Sequence, residues 1–532
     1  MINLTRNEGF RWNKYKNVYS KGYIFDRGIC LKDNELSQFI SENINNQNMQ
    51  NFFYNLNGCF SCVIENENDI FLVSDKIASF PLFYSDDGKN ITDNLEDVEG
   101  KNVDYDKVVE LEASSYIKKT DTALKNYKIV DLGQMVKIEK SRIEEYYYYK
   151  HESKGSGKYN YEDFVEKYKV INNKIFDDLI KSLQGKTAIV PLSGGYDSRY
   201  IICMLKKKNY NNVICYTYGN EETYEVQYSK RIAEKLGYSW YFIEYNKEKW
   251  EKMFDDNFFN YCEYEHNYIS VPHVQDYIAL TELKKKGLIN ENAVIINGFC
   301  GDLPAGSFLL KKEDEDKISK DLNWMTEYIF KENYSHIKVN IKQKKKIIEK
   351  IYKEISSYEI KLNTINDVSN IYEMWFTGAR PCKWVVNSNR LYEFLGLEWR
   401  MPLWDNRFID FFYNLPYSER EDCSFYKKFL FTQLFEIYNV DMKKPEFTAK
   451  KTIKYNYSIK KKIKMKILYA INIVRIITGK RIVVKNDLNQ YLDLALILTK
   501  KVKNKRRINI RNLNAHQMMA IWWCEYKYKC KK

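Results

Sequence analysis

Two short segments hold residues whose types and spacing could do chemistry. Ser193-Gly194-Gly195-Tyr196-Asp197-Ser198 follows the apolar run 187–192 and opens a helical stretch through Lys206. Two glycines let the backbone turn tightly and bring consecutive N–H groups toward an anion, and a helix N-terminus behind them adds about half a positive charge. Ser193 and Ser198 offer hydroxyl donors to phosphate oxygens. Asp197 would be an odd charge beside a phosphate unless a hard cation such as Mg²⁺ bridges the two. The second segment, Ile296-Asn297-Gly298-Phe299-Cys300-Gly301-Asp302, ends another strand-like run and carries an acid at the tip of a small-residue loop. On a parallel sheet both loops face one crevice, so Asp197 and Asp302 are expected to grip one Mg²⁺ and, through it, the β- and γ-phosphates of ATP. An ordinary Ser/Gly turn capping a helix is the plainer alternative. A Walker-type loop is not the expected reading, because the spacing differs and no lysine follows the glycines.

The surrounding pattern supplies elements to position these loops. Apolar runs at 187–192, 213–218, 240–245 and 293–297 alternate with helical stretches such as 224–236, which predicts a parallel sheet covered on both faces. Up to residue 150 the pattern is short and strand-like, with strands expected at 54–65, 69–74, 80–84 and 135–139. Residues 151–160 have linker composition, so the chain divides into 1–150, the linker, a nucleotide-binding region over 161–450 and a basic extension over 451–532. After residue 310 the signal is mostly helical, notably at 311–320 and 342–355.

Charge is uneven along the chain. Of 85 Lys and Arg and 71 Asp and Glu, residues 441–532 hold 25 and 5, which leaves 60 against 66, a net of −6, before them. The basic tail therefore reads as a solvated helical face, or as a surface for an acidic partner such as anionic lipid; nucleic acid is not the expected partner. Residues 460–478 are expected to form a basic amphipathic helix on an anionic membrane. Eleven cysteines without disulfide-scaffold density suit a reducing, cytoplasmic setting, and Cys59-Phe60-Ser61-Cys62 reads as buried strand thiols rather than a metal site.

Strand-SGGxDS-helix resembles the pyrophosphate-loop motif of N-type ATP pyrophosphatases, and further segments are similar to the asparagine synthetase and β-lactam synthetase branch. These are Glu225–Gly237, Gly298–Asp302, Glu398-Trp399-Arg400-Met401-Pro402-Leu403-Trp404-Asp405 and, more weakly, Lys444-Pro445-Glu446-Phe447. Leu56–Phe60, Leu72–Asp75 and Phe80–Tyr84 resemble strands of a class II glutamine amidotransferase domain. The resemblance implies an α/β chain. An Ntn-hydrolase-like αββα domain is followed by an adenine-nucleotide α-hydrolase-like domain with a parallel sheet, then a mainly helical C-terminal part. It implies ATP and Mg²⁺, a carboxylate substrate that is activated as an acyl-adenylate, and ammonia or an amine as nitrogen donor. ATP contacts are expected from Leu192, Ser193, Gly194, Gly195, Asp197, Ser198, Thr217, Tyr218 and Gly298, and metal contacts from Asp197 and Asp302. Lys444 is expected to stabilise oxyanion and pyrophosphate charge, and His273 to be a general base poised near neutral pH.

The chain departs from that pattern twice. Position 2 is Ile2 and the first cysteine is Cys30, so the front domain is expected to keep its fold without hydrolysing glutamine. Phe299 stands where asparagine synthetases carry a glutamate, which counts against aspartate as substrate. The arrangement looks most like homologues of bacterial surface-polysaccharide synthesis, where the acid would be a sugar-linked uronate. The rival readings are a peptide or lactam cyclase, a non-catalytic ATP-binding homologue, and a tRNA-modifying enzyme.

Overall fold

A computed structural model of the chain describes residues 1–44, 48–140, 142–155, 159–442, 491–503 and 514–529. Lys444 and the expected amphipathic helix at 460–478 lie outside the described residues. The front half is built on two sheets. The larger runs Arg142–Tyr147, Gln134–Glu139, Asp69–Ser74, Gly58–Glu65, Val18–Asp26 and Asn13–Tyr15 in spatial order, with Ile29–Lys32 also pairing Val18–Asp26. The smaller pairs Ile2–Asn3, Ile91–Thr92, Phe83–Ser85 and Tyr127–Ile129.

Alternation along the strands decides the layering. Val63, Leu72, Val136 and Ile138 point one way and meet Tyr84 and Ile91 of the smaller sheet. Their neighbours Cys62, Ile64, Val73 and Met135 point the other way, onto Leu36, Ile40 and Phe53 of the helices Asp33–Asn43 and Met49–Asn55. Phe83 and Ile129, on the far side of the smaller sheet, pack with Val108 and Leu111 of the helix Tyr105–Ser114. Helix, sheet, sheet and helix therefore follow one another. Three expectations change here. The segment Met49–Asn55 is helical where a strand was expected to begin at Tyr54, the strand expected at 80–84 shortens to Phe83–Ser85, and the nine-residue strand Val18–Asp26 went unread.

The second half is centred on a five-stranded, all-parallel sheet. Its strands are β1 (Thr187–Pro191), β2 (Val213–Gly219), β3 (Ser239–Glu244), β4 (Ala293–Ile296) and β5 (Glu398–Arg400), in the spatial order β3-β2-β1-β4-β5. Helix α1 (Tyr161–Leu183) precedes the sheet, α2 (Tyr196–Lys207) follows β1, and α3 (Tyr224–Leu236) follows β2. Ala188, Val190, Val294 and Ile296 face one apolar cluster, while Ile189 and Ile295 face another, so the sheet is buried on both sides. The chain order reverses between β1 and β4, which opens a crevice at the carboxyl ends of those two strands.

The described part of the C-terminal extension is not a solvated basic face. The helix Ala515–Cys524 is buried almost throughout, with Trp523 and Cys524 at 0% exposure, and packs in the main core together with Leu111 and Trp250. The expected solvated surface is corrected here by the residues that matter to packing, Met518, Ile521, Trp522 and Trp523, which are apolar. Lys311–Lys320 contains one short 3₁₀ helix, Lys312–Lys317, rather than a regular α-helix. No helix among the described residues is long and apolar enough to cross a membrane. Cys59 and Cys62 are free thiols buried in their strand, where burial raises the Cys59 thiol to about 12.

Candidate active site

The crevice holds a cleft of about 490 Å³ bordered by Leu192, Ser193, Gly195, Asp197, Ser198, Thr217, Tyr218, His273, Gly298 and Asp302. β1 delivers the first loop: Leu192 follows the last paired residue, Pro191, and Gly195 stands at the N-cap of α2 in an extended conformation with no side chain capping it. The N-terminus of α2 thus opens toward the cleft with its positive end. The two serines brace the turn. Ser193 N–H donates to Ser198 Oγ at 3.1 Å, Gly195 N–H donates to Ser193 Oγ at 3.1 Å, and the two hydroxyls lie 3.1 Å apart.

β4 is the immediate neighbour of β1, with Ile189 opposite Ile295, and so delivers the second loop beside the first. Asp302 N–H donates to Asp197 Oδ2 at 3.3 Å, and Tyr426 O–H donates to Asp197 Oδ1 at 2.9 Å. Gly298 makes this approach possible, since a Cβ there would stand 3.0 Å from Asp197 Cβ. At Gly301 a Cβ would stand 2.4 Å from Leu403 Cδ1, so the loop lies flat on the 3₁₀ turn Pro402–Trp404 after β5. Trp404 Nε1–H donates to the Phe299 carbonyl at 2.8 Å, which fixes the same loop from that side.

Thr217 and Tyr218 both reach the cleft, in different capacities. Thr217 Oγ1 donates to the Leu192 carbonyl at 2.6 Å, contacts Ser229 Oγ at 2.7 Å and accepts from Trp240 Nε1–H at 3.0 Å. Its side chain therefore braces β1 against α3. Tyr218 stacks on Tyr245 with ring centroids 4.9 Å apart and borders the cleft. Gly194 does not border the cleft directly. Its carbonyl accepts from Arg199 Nη2 at 2.9 Å, and a Cβ there would stand 3.3 Å from Glu225 Cα.

His273 is in the cleft, but its environment overturns the expected role. Burial, reinforced by the nearby Arg380 charge, lowers its imidazole to about 3, so the ring is neutral throughout the physiological range and is not a base poised near pH 7. It lies edge-on to Trp384 at 4.8 Å. Asp276, three residues on, accepts from Tyr216 O–H at 3.1 Å and Tyr392 O–H at 3.2 Å, and burial raises its carboxyl.

Several residues of the site escaped the sequence reading. Arg199 is fully buried and bonds the Val440 and Met442 carbonyls at 3.0 and 2.8 Å as well as Gly194. Only its place two residues after Asp197, on the first turn of α2, could have marked it. Tyr426, Arg380 and Trp384 come from helical segments far along the chain with no motif to signal them. Tyr491 of the C-terminal extension also borders the cleft.

Two neighbouring parallel strands thus bring two acidic loops and an uncapped helix N-terminus to one crevice. Residues 186–436 match the asparagine synthase family. The match covers the parallel sheet and both loops, and it supports an ATP-using ligase of the asparagine synthetase kind. None of the curated proteins compared matches the chain. Within the matched region, β5 and the turn after it are the segment Glu398–Asp405, whose strand character the sequence pattern did not reveal.

Proposed function

We propose that the chain is an ATP-dependent ligase that activates a carboxylate as an acyl-adenylate, releases pyrophosphate, and passes the acyl group to ammonia or an amine. One observation carries this reading: Asp302 N–H lies 3.3 Å from Asp197 Oδ2, at the ends of adjacent parallel strands and beside an uncapped helix N-terminus. That pairing gives a phosphate-sized cradle with acids at its edge, which is an unfavourable place for an anion unless a cation offsets them. The donor set fits Mg²⁺, with Asp197 and Asp302 as hard oxygen ligands and the serine hydroxyls close by. A bound Mg²⁺ would offset phosphate charge and orient the triphosphate.

The chain's own groups have separable tasks. Backbone N–H groups at the start of α2 meet the pyrophosphate portion, and Ser193 and Ser198 trade their mutual hydrogen bond for phosphate oxygens. Tyr218 offers its ring to the adenine. Tyr426 holds Asp197 in one rotamer from outside the cleft. Arg199 secures the chain at Val440 and Met442, two residues before Lys444. Lys444 remains the proposed partner for charge that develops on the leaving pyrophosphate. A neutral His273 can accept or donate a hydrogen bond to the substrate without changing charge.

The test is calorimetric titration of ATP with and without Mg²⁺. The wild-type protein should bind Mg²⁺–ATP at least tenfold more tightly than ATP alone, and Asp302→Asn should remove that difference. Equal affinity with and without the metal would overturn the proposal.

A further inference from the structure

Arg380 stands where two cavities meet. It borders the cleft described above and also a second cavity of about 740 Å³, and Trp384 borders both as well. The guanidinium carbon lies 5.0 Å from the centre of the Trp384 ring, so the indole supports the cation from one face. Arg380 is exposed to these cavities, and among the described residues it forms no ion pair with a carboxylate. Charged side chains also line the two cavities, Asp302 in the first and Lys311, Asp314, Lys317, Lys331 and Glu332 in the second, but the rings packed on its Trp384 support are neutral. His273 and His516 stack with ring centroids 6.3 Å apart, and both lie edge-on to Trp384, at 4.8 and 4.9 Å. Burial drives both imidazoles toward the neutral form, and the neighbouring guanidinium pushes the same way. A fixed cation on an aromatic support, surrounded by neutral rings, is arranged to take an anion from outside the protein.

The second cavity says what that anion is attached to. Trp324 and Tyr328 form one aromatic wall, with rings 5.2 Å apart and 9° from parallel, and Tyr372 and Phe376 form another, at 5.7 Å and 24°. Its volume lies within the range of about 300–1,000 Å³ typical of pockets that enclose drug-sized ligands. A free amino acid would leave most of it empty. His516, from the C-terminal extension, closes part of this space.

We propose that the second cavity is the subsite for the body of the carboxylate substrate, a ring-bearing acid larger than a free amino acid, and that Arg380 holds its carboxylate facing the nucleotide cleft. This assignment rests on the ligase reading above, and it adds the size and shape class of the acid. A carboxylate at Arg380 stands within reach of both cavities, with its carbon toward the nucleotide and its ring among Trp324, Tyr328, Tyr372 and Phe376.

Four probes test it on the full-length protein by calorimetry: acetate, benzoate, 4-phenylbenzoate and the neutral 4-phenylbenzamide. Affinity should rise from acetate to 4-phenylbenzoate by at least tenfold, and the amide should bind at least tenfold more weakly than the matching acid. Arg380→Gln should abolish the preference for acid over amide. Trp324→Ala should shrink the gain from the rings while keeping that preference. The assignment is overturned if 4-phenylbenzoate binds no better than acetate, or if Arg380→Gln still prefers the acid. Nucleotide titration of the wild-type protein is a separate readout. Loss of the metal effect there with the probe pattern intact would remove the ligase reading and leave an acid-binding cavity, whereas the reverse result would remove only the subsite.

Discussion

At the scale of single residues, position 298 controls how closely the two acidic loops approach. In Gly298→Ala the new methyl group would stand 3.0 Å from Asp197 Cβ, so Asp197 must give way by a few tenths of an ångström. The substitution should cost about 1–3 kcal/mol in stability, as overpacking does, and lower Mg²⁺–ATP affinity at least tenfold. Chemical denaturation and calorimetry read the two effects separately. His273 makes a prediction of the opposite kind. Burial holds its folded pKa at about 3, below its ordinary 6.5, so its proton is already absent at pH 6. Activity profiles of wild type and His273→Gln should therefore have the same shape between pH 6 and 8, whatever the difference in height. An ionisation near 6.5 that disappears in the variant would contradict the neutral imidazole.

At the scale of elements, α2 does more than present a positive end to the cleft. Through Arg199 it ties the loop at Gly194 to the chain at Val440 and Met442. In Arg199→Met these carbonyls lose a charged donor inside the protein, and each buried acceptor left without one costs about 1–3 kcal/mol. The urea midpoint should fall, and hydrogen exchange should quicken at 440–442 while the amides of β1 and β4 keep their protection. The parallel sheet was largely legible in the sequence, because its first four strands are mostly apolar runs and β1 and β2 lead directly into helices with their own periodicity. β5 was not, since three residues give no period and Glu398 and Arg400 are charged. They are acceptable there because they pair with each other at 2.8 Å and Glu398 also meets Lys32 at 2.7 Å.

At the scale of the whole molecule, buried ion pairs join the front layers to the second half. Lys383 meets Asp131 at 2.9 Å with both side chains essentially inaccessible, and Lys21 meets Glu393 at 3.3 Å. Burial opposes ionisation of Asp131, but Lys383 and Lys119 outweigh it and hold the carboxyl at about 2, against 3.8 when exposed. A depressed carboxyl stabilises the fold above its unfolded pKa, so about 2 kcal/mol should be present above pH 4 and lost as pH falls toward 2. Asp131→Asn should remove that acid dependence and cost about 3–5 kcal/mol at neutral pH, because Lys383 is left buried without its partner. Equilibrium denaturation at pH 3 and pH 7 tests both. The C-terminal extension is a second joint: Lys527 meets Glu96 at 2.7 Å and also pairs with Glu263, and Lys529 pairs with Glu112 of the front half. Trp523→Ala should cost about 3–5 kcal/mol, an effect a solvated tail would not produce.

The sequence by itself determined the alternation of strands and helices, the two small-residue loops and the acids they carry. Those features are local, because a strand's period, a glycine turn and a helix start depend on neighbours within a few residues. Only the tertiary structure decided that β1 and β4 are adjacent, that Gly298 admits Asp197, that Tyr426 holds it, and that Arg380 stands where two cavities meet, with His516 of the extension lining one of them. It also decided that His273 is neutral and that the basic extension buries an apolar helix. These are contacts between residues a hundred or more positions apart, and their energies depend on burial and neighbouring charge. No window of the sequence contains either quantity.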